Sequence, residues 1–311
     1  MEQFTQYLQA KDLRSATIDQ YQRQVVLFEN WYSMELENVQ KKDILNYLAY
    51  LKNKNLETIS RYNALLALRH YFDCLLQNKL ISTNPTNLIK LRGTQKRKLH
   101  HIYNLEELEQ LADTYYQLEV KRTQENLQLG AGQYLKQRAF NAKLRNYAIL
   151  QFFIHQGLQS REILELKTDD LQLHKASVTI RKGSVKGNAR TLPLHATQIG
   201  ALMQYLNEVR PQLETQNTDN TLFLPIPKND PKAKKQAAVN FKRFNQQLKS
   251  LDRNFCSLAQ LRASVVTYWV QTYGLRKAQY FAGHKTITST EMYLPNITDD
   301  LAEDITKFNP F

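Results

Sequence analysis

The residues best placed to do chemistry lie in Phe281-Ala-Gly-His-Lys-Thr-Ile-Thr-Ser-Thr-Glu-Met-Tyr293, where a tyrosine follows a histidine at a short offset. A tyrosine hydroxyl is a nucleophile once its proton is taken, and in a strongly basic chain the matching electrophile is a nucleic-acid phosphate. Gly283 suits the end of one helix, and the hydroxyls from Thr286 to Thr290 suit a turn and a new helix start. A helix beginning near Thr288 would then present Tyr293. Taken alone, the stretch fits a buried tyrosine on a short helix equally well, since the chain holds 17 tyrosines.

The composition narrows the partner. Lys and Arg number 42 against 29 Asp and Glu, a net charge of +13, and the isoelectric point is about 9.5. Such an excess points to a polyanion. It is also clustered: Lys90, Arg92, Lys96, Arg97 and Lys98 follow one another with no acid between, and Lys228 to Arg253 holds 8 basic residues against Asp230 and Asp252. Recurrent acid-free clusters fit an extended nucleic-acid track. No apolar run approaches a membrane span, and the opening Met-Glu-Gln-Phe-Thr-Gln lacks the features of a signal peptide, so a cytoplasmic protein with no membrane partner is expected. Cys74 and Cys256 read as reduced packing residues, neither a disulfide nor a metal pair.

The elements that must position this chemistry follow from periodicity. Ile18, Tyr21, Val25, Phe28 and Tyr32 make Ser15 to Tyr32 an amphipathic helix, and the same spacing predicts helices over Lys41 to Lys52 and Thr58 to Gln77. A small helical domain of about four helices therefore covers residues 1–91. Residues 92–101 form a basic linker. In the second domain, 102–298, Asn104 and Glu107 can cap a helix reciprocally. Lys121 to Lys143 reads as an extension without assigned structure, and helices follow at Arg145 to Gln156 and Ser160 to Lys167. The period changes to two at Ala176 to Arg181 and Ala189 to Leu194, a hairpin with a basic tip. Helices return at Thr197 to Arg210, Ala237 to Leu251, Leu258 to Tyr273 and Arg276 to Phe281, and 299–311 is an acidic tail. The fold class is mainly α with one small antiparallel sheet.

With the elements in place, the chain resembles the tyrosine recombinase or phage integrase family. The resemblance spans nearly the whole chain. It rests on Gly157-Leu-Gln-Ser-Arg-Glu-Ile-Leu-Glu-Leu166, Lys186-Gly-Asn-Ala-Arg-Thr-Leu-Pro-Leu194, Ala259-Gln-Leu-Arg-Ala263 and Gly283-His-Lys-Thr-Ile-Thr-Ser-Thr-Glu-Met-Tyr293. The last match is the most specific. It implies an N-terminal SAM-like core-binding domain, a mostly helical catalytic domain, and DNA cutting and rejoining through a 3′-phosphotyrosyl link, with no cofactor or metal. By the resemblance, Tyr293 is the nucleophile, Arg262 the phosphate clamp and Lys186 the proton donor to the leaving 5′-oxygen. His284 binds phosphate or assists proton transfer, and Glu162 orients its neighbours. Lys182 competes with Lys186 for its role.

The resemblance further implies a bacterial, nucleoid-associated protein of a mobile element, active in integration or transposition. It would act as a homo-oligomer, a tetramer, on double-stranded DNA, with accessory directionality factors, and would pass its tail to a neighbouring subunit. Lys90, Arg92, Lys96, Arg97, Lys98, Lys182, Arg190, Lys242 and Arg243 are the expected DNA contacts. Two departures stand out. Gln159 occupies the family's first arginine position, and Ala259 its first histidine position, with Ala263 replacing a further histidine. Arg161 is the nearest substitute if the turn before it redirects its side chain, and Arg145 or Lys182 are others. A DNA-binding relative without cleavage, acting as an accessory factor, is the second reading, and a relaxing enzyme of topoisomerase type the third.

Overall fold

The computed structural model describes residues 1–91, 101–127, 132–182, 187–214, 220–226, 239 and 241–295. The chain forms two compact units, residues 1–98 and 99–311.

In the first unit, helices α1 (Glu2–Ala10), α2 (Ser15–Tyr32), α3 (Lys41–Asn53) and α4 (Thr58–Gln77) enclose one core. Helices α2 and α4 occupy the residues that periodicity assigns them. Phe28 is at the centre, edge-on to Tyr47 with ring centroids 4.9 Å apart, and Val25, Ile44, Leu68 and Phe72 close around it. Helix α1 is an addition to the sequence reading. Its buried face is only Phe4 and Leu8, too few positions for periodicity to register.

The second unit opens with α5 (Leu105–Tyr115), where Asn104 accepts from the Glu107 N–H and the Glu107 carboxylate accepts from the Asn104 N–H, both at 2.8 Å. The segment left unassigned is helical on both sides of an undescribed stretch: a π-helical turn (Tyr116–Lys121), α6 (Arg122–Asn126), then α7 from Gln133 to His155. The start of α7 is thus at Gln133 and not Arg145, because Gly132, at φ 87°, turns the chain into the helix. Helix α7 is buried on several faces, with Leu144, Ile149, Leu150, Phe152, Phe153 and Ile154 all inside, as expected of a central helix.

Helix α8 (Ser160–Glu165) leads to a sheet of β1 (Leu171–Gln172), β2 (Ser177–Ile180) and β3 (Arg190–Pro193), antiparallel in that order. The register sets Val178 against Leu192 and Ile180 against Arg190. Then come α9 (Ala196–Gln204), a second π-helical turn (Tyr205–Val209), α10 (Arg210–Leu213), α11 (Phe241–Leu251), α12 (Leu258–Ala282) and α13 (Thr288–Glu291). Gly274, at φ 75° and ψ 167°, breaks α12 between the two helices that the sequence predicts. Cys74 is buried as expected, whereas Cys256 is exposed, because it lies in the loop between α11 and α12 and on neither helix. Among the described residues no helix is long and apolar enough to cross a membrane.

Candidate active site

Arg262 is the hub. It lies on α12, one turn in from the helix start, and its side chain runs between two chain reversals. One Nη1 proton goes to the Gly157 carbonyl; Nη2 donates to the Ala282 carbonyl at 2.8 Å and to His284 Nε2 at 3.1 Å. Carbonyl acceptors orient a guanidinium without neutralising it. Burial lowers the pKa of Arg262, and the Glu162 carboxylate acts the other way, supporting its charge.

The His284 partners fix its protonation. Arg262 can only donate, so Nε2 must accept, and Nδ1 carries the proton that it donates to Thr290 Oγ1 at 2.9 Å. The ring is therefore neutral, in line with a pKa pushed down to about 4 by burial and by the Arg262 and Arg190 charges. Tyr293 stacks on it, with ring centroids 5.9 Å apart and planes 11° from parallel. The Gly283 conformation, φ 68°, makes this turn possible, and the His284 N–H closes it on the Gln279 carbonyl at 3.0 Å.

Glu162 completes the cluster from α8. Its Oε2 accepts from the Gln159 N–H at 2.8 Å, which starts the helix, and its Oε1 accepts from Arg190 Nη1 at 2.8 Å. Arg262 Nη1 stands 3.7 Å from Oε2. Burial raises the carboxyl pKa, but Arg190, the Gln159 N–H and Arg262 outweigh it and hold the group below its ordinary value. Glu162 is thus an anion between two guanidiniums.

The structure brings Tyr293, His284, Arg262 and Glu162 together, and adds two residues that the sequence reading missed in this role. Thr290, fully buried, orients His284. Arg190 is expected as a DNA contact, but it is buried at the start of β3 on Glu162 and on the Phe281 carbonyl, to which Nε donates at 2.7 Å. Gly283 packs directly on its guanidinium, and a Cβ there would collide with Arg190 Nη1. The Asn188 N–H donates to the Gly283 carbonyl at 3.0 Å and its Nδ2 to the His284 carbonyl at 3.4 Å, so the residues leading into β3 are also tied to the His284 turn.

Other expected residues lie elsewhere. Arg161 points outward and pairs with Glu165 at 3.3 Å, since two residues along α8 is another face. Arg145 is committed to the Leu224 carbonyl and the Asn146 side chain in the core, and burial lowers its pKa to about 10. Lys90, Lys182, Lys242 and Arg243 are exposed. Arg92, Lys96, Arg97, Lys98 and Lys186 lie outside the described residues, as does the 299–311 tail. Of the residues expected to depart from the family's motifs, Gln159 caps α8, Ala259 is exposed in the first turn of α12, and Ala263 is half-buried.

Arg262 on α12 and the His284 and Tyr293 side chains that follow it all fall within a stretch that matches a known family. Residues 130–298 match the Phage integrase family and residues 1–79 the Phage integrase, N-terminal SAM-like domain. The chain belongs to the phage integrase family, that of the tyrosine recombinases. It is 28% identical to the tyrosine recombinase XerC of Natranaerobius thermophilus, across 99% of this chain and 97% of that one. With the tyrosine recombinase XerD of Listeria innocua it shares 25% identity over 96% of this chain and 94% of that one. Its fold is similar to that of XerH site-specific recombinase bound to palindromic difH substrate, with a TM-score of 0.68 at 20% identity, covering 96% of this chain and 82% of that one. The Tn1549 transposon integrase in complex with circular intermediate DNA gives a TM-score of 0.64 at 15% identity, covering 94% of each chain.

Proposed function

We propose that the protein is a site-specific DNA recombinase that cuts and rejoins double-stranded DNA through Tyr293. The observation that carries this reading is the assembly of Tyr293, neutral His284 and charged Arg262 from a single chain. In the proposed step, Tyr293 Oη attacks a backbone phosphorus and the bond from phosphorus to the 5′-oxygen breaks. A 3′-phosphotyrosyl link forms, and the departing 5′-oxygen takes a proton from Lys186. His284, whose Nε2 accepts from Arg262, holds that guanidinium in place for the phosphate, and the Tyr293 proton passes to solvent. Arg262 carries the extra phosphoryl charge of the transition state. Reversal by a second 5′-hydroxyl reseals the strand, and bond energy is conserved throughout.

The recombinase relatives and the +13 charge support DNA as the partner. The exposed Lys90, Lys182, Lys242 and Arg243, with Arg92, Lys96, Arg97, Lys98 and the 92–101 linker, are the proposed backbone contacts. The family resemblance supports a mobile-element setting, a tetramer on two DNA sites, accessory directionality factors, a cytoplasmic nucleoid-associated location and exchange of the tail between subunits. The alternative, a DNA-binding accessory factor without cleavage, is favoured by Gln159 and Ala259.

A nicked suicide duplex carrying the protein's own site separates the two. Under the recombinase reading, a covalent adduct accumulates with the wild-type protein and is absent with Tyr293→Phe, while binding is retained. Tight binding with no adduct from the wild-type protein sinks the recombinase reading and leaves the accessory one.

A further inference from the structure

The cluster holds one buried anion and two buried cations, and its use as a phosphate site depends on how they pair. Glu162 Oε1 is committed to Arg190 at 2.8 Å, whereas Arg262 stands 3.7 Å from Oε2, an oxygen already occupied by the Gln159 N–H. Arg190 is locked in this role. Nε is held by the Phe281 carbonyl at 2.7 Å and Gly283 lies on its guanidinium, so its direction is set by β3 and the turn. Its Nη2 is buried with no hydrogen-bond partner among the described residues, and its one ion pair among them is the Nη1 bond to Glu162. Arg262, in contrast, is held mainly by neutral carbonyls.

We propose that Arg190 is a positioning residue: by taking Glu162 for itself, it keeps the carboxylate off Arg262 and leaves the Arg262 charge available to a DNA phosphate. The inference rests on the phosphate-binding reading of Arg262 given above. It explains how a site with Gln159 in place of an arginine keeps a net positive charge. Two guanidiniums and one carboxylate leave one positive charge facing the phosphate. Without Arg190, Glu162 turns to the only guanidinium left and the pair sums to zero. In a low-dielectric interior such a pair forms strongly, because an unpaired buried carboxylate is costly. Arg190 cannot itself turn to the phosphate in this arrangement, since its Nε is held by the Phe281 carbonyl and its Nη1 by Glu162, and its side chain is 1% exposed against 8% for Arg262.

The test measures the binding of inorganic phosphate to the full chain, followed by the His284 ring resonances in NMR, beside Tyr293 adduct formation on the nicked duplex. Arg190→Gln weakens phosphate binding by roughly tenfold, the scale of one charge-assisted hydrogen bond, and lowers the adduct rate in step. Adding Glu162→Gln to Arg190→Gln restores phosphate affinity, because no carboxylate remains to neutralise Arg262. A purely structural Arg190 predicts the opposite, a double variant as weak as the single one or weaker. Unchanged affinity in Arg190→Gln, or no recovery in the folded double variant, overturns the proposal. If Arg190→Gln does not fold, Arg190→Lys and Glu162→Gln decide: the first must keep phosphate affinity and the second must raise it, and failure of either overturns the proposal. A wild-type protein that binds phosphate in this pattern but forms no adduct overturns the cleavage reading alone.

Discussion

Two turns of the catalytic unit use the same backbone device for different ends. Gly157 after α7 and Gly283 after α12 both adopt left-handed conformations, φ 53° and φ 68°, and Arg262 donates to a carbonyl in each turn, those of Gly157 and Ala282. What packs against each glycine differs. A Cβ at Gly157 would meet Val265 Cγ1 at 3.2 Å and Trp269 at 3.5 Å, whereas one at Gly283 would run into the Arg190 guanidinium. One turn is seated on hydrocarbon and the other on charge. The Gly157 turn ends in Gln159, a neutral cap, and the Gly283 turn ends in His284 and Tyr293. The backbone frame of the proposed phosphate site is therefore present on both sides, and the side chains proposed to react lie on one.

Removing the residue that joins the turns has the largest expected effect. Arg262→Ala should lower the adduct rate roughly a hundred- to a thousand-fold, as loss of a preorganised transition-state donor does. It should also cost about 3 kcal/mol in denaturant unfolding, because a buried charge partner is lost together with two carbonyl acceptors' donors. A stability loss without a rate loss, measured on the folded fraction, would assign Arg262 to the frame and not to the chemistry.

Restoring the empty side is the next largest. Gln159→Arg supplies a cation where the frame lacks one, and should raise the adduct rate by about tenfold, part of what a fully supported donor provides. No gain in single-turnover cleavage would mean that the Gly157 turn has no access to the phosphate.

The glycines themselves sharpen the contrast. Alanine at either position suffers left-handed strain of about 1–2 kcal/mol. In Gly157→Ala the methyl must also press Val265 aside by a few tenths of an ångström, and the folded protein should cleave at the wild-type rate. Gly283→Ala displaces Arg190 and with it Glu162, so its cleavage should fall further than its stability accounts for. Unfolding curves and adduct rates taken on the same preparations separate the two outcomes.

The uneven legibility of the chain has the same physical root. Helices α2 and α4 were readable to the residue because one face of each is buried against a single core, which imprints a clean 3.6 period. The first half of α7, Gln133 to Lys143, buries only Phe140 and Asn141, so it carries too few apolar positions to show a period and reads as an unassigned stretch, whereas the buried half from Leu144 on is rich enough in apolar residues to read as a helix. In the site, Tyr293, His284, Arg262 and Glu162 are legible through motif spacing. Arg190 is not, because charge weighs toward the surface when a hairpin is read for DNA contacts. The signal was nevertheless present: alternation along β3 puts Arg190 on the same face as Leu192, and both are buried. A basic residue on the inward face of a strand calls for a buried anion, and Glu162 is that anion.

The smallest expected effect tests the side of the comparison that lacks a reactive group. Arg161 is the arginine nearest in sequence to Gln159, so it is the obvious substitute on sequence grounds for the arginine that the family's motif leads one to expect there. In the fold it is half exposed and paired with Glu165 at i+4. Exposed pairs of this kind contribute at most about 0.5 kcal/mol, and among the described residues the Arg161 side chain bonds to Glu165 and not to the Arg262 cluster. Arg161→Ala should therefore leave the adduct rate unchanged and shift unfolding by no more than that amount. A large rate loss in Arg161→Ala with normal stability would show that DNA binding rotates the start of α8 and brings a second arginine to the phosphate. In that case the two turns would be functional equals in the complex, and the asymmetry would belong to the DNA-free protein alone.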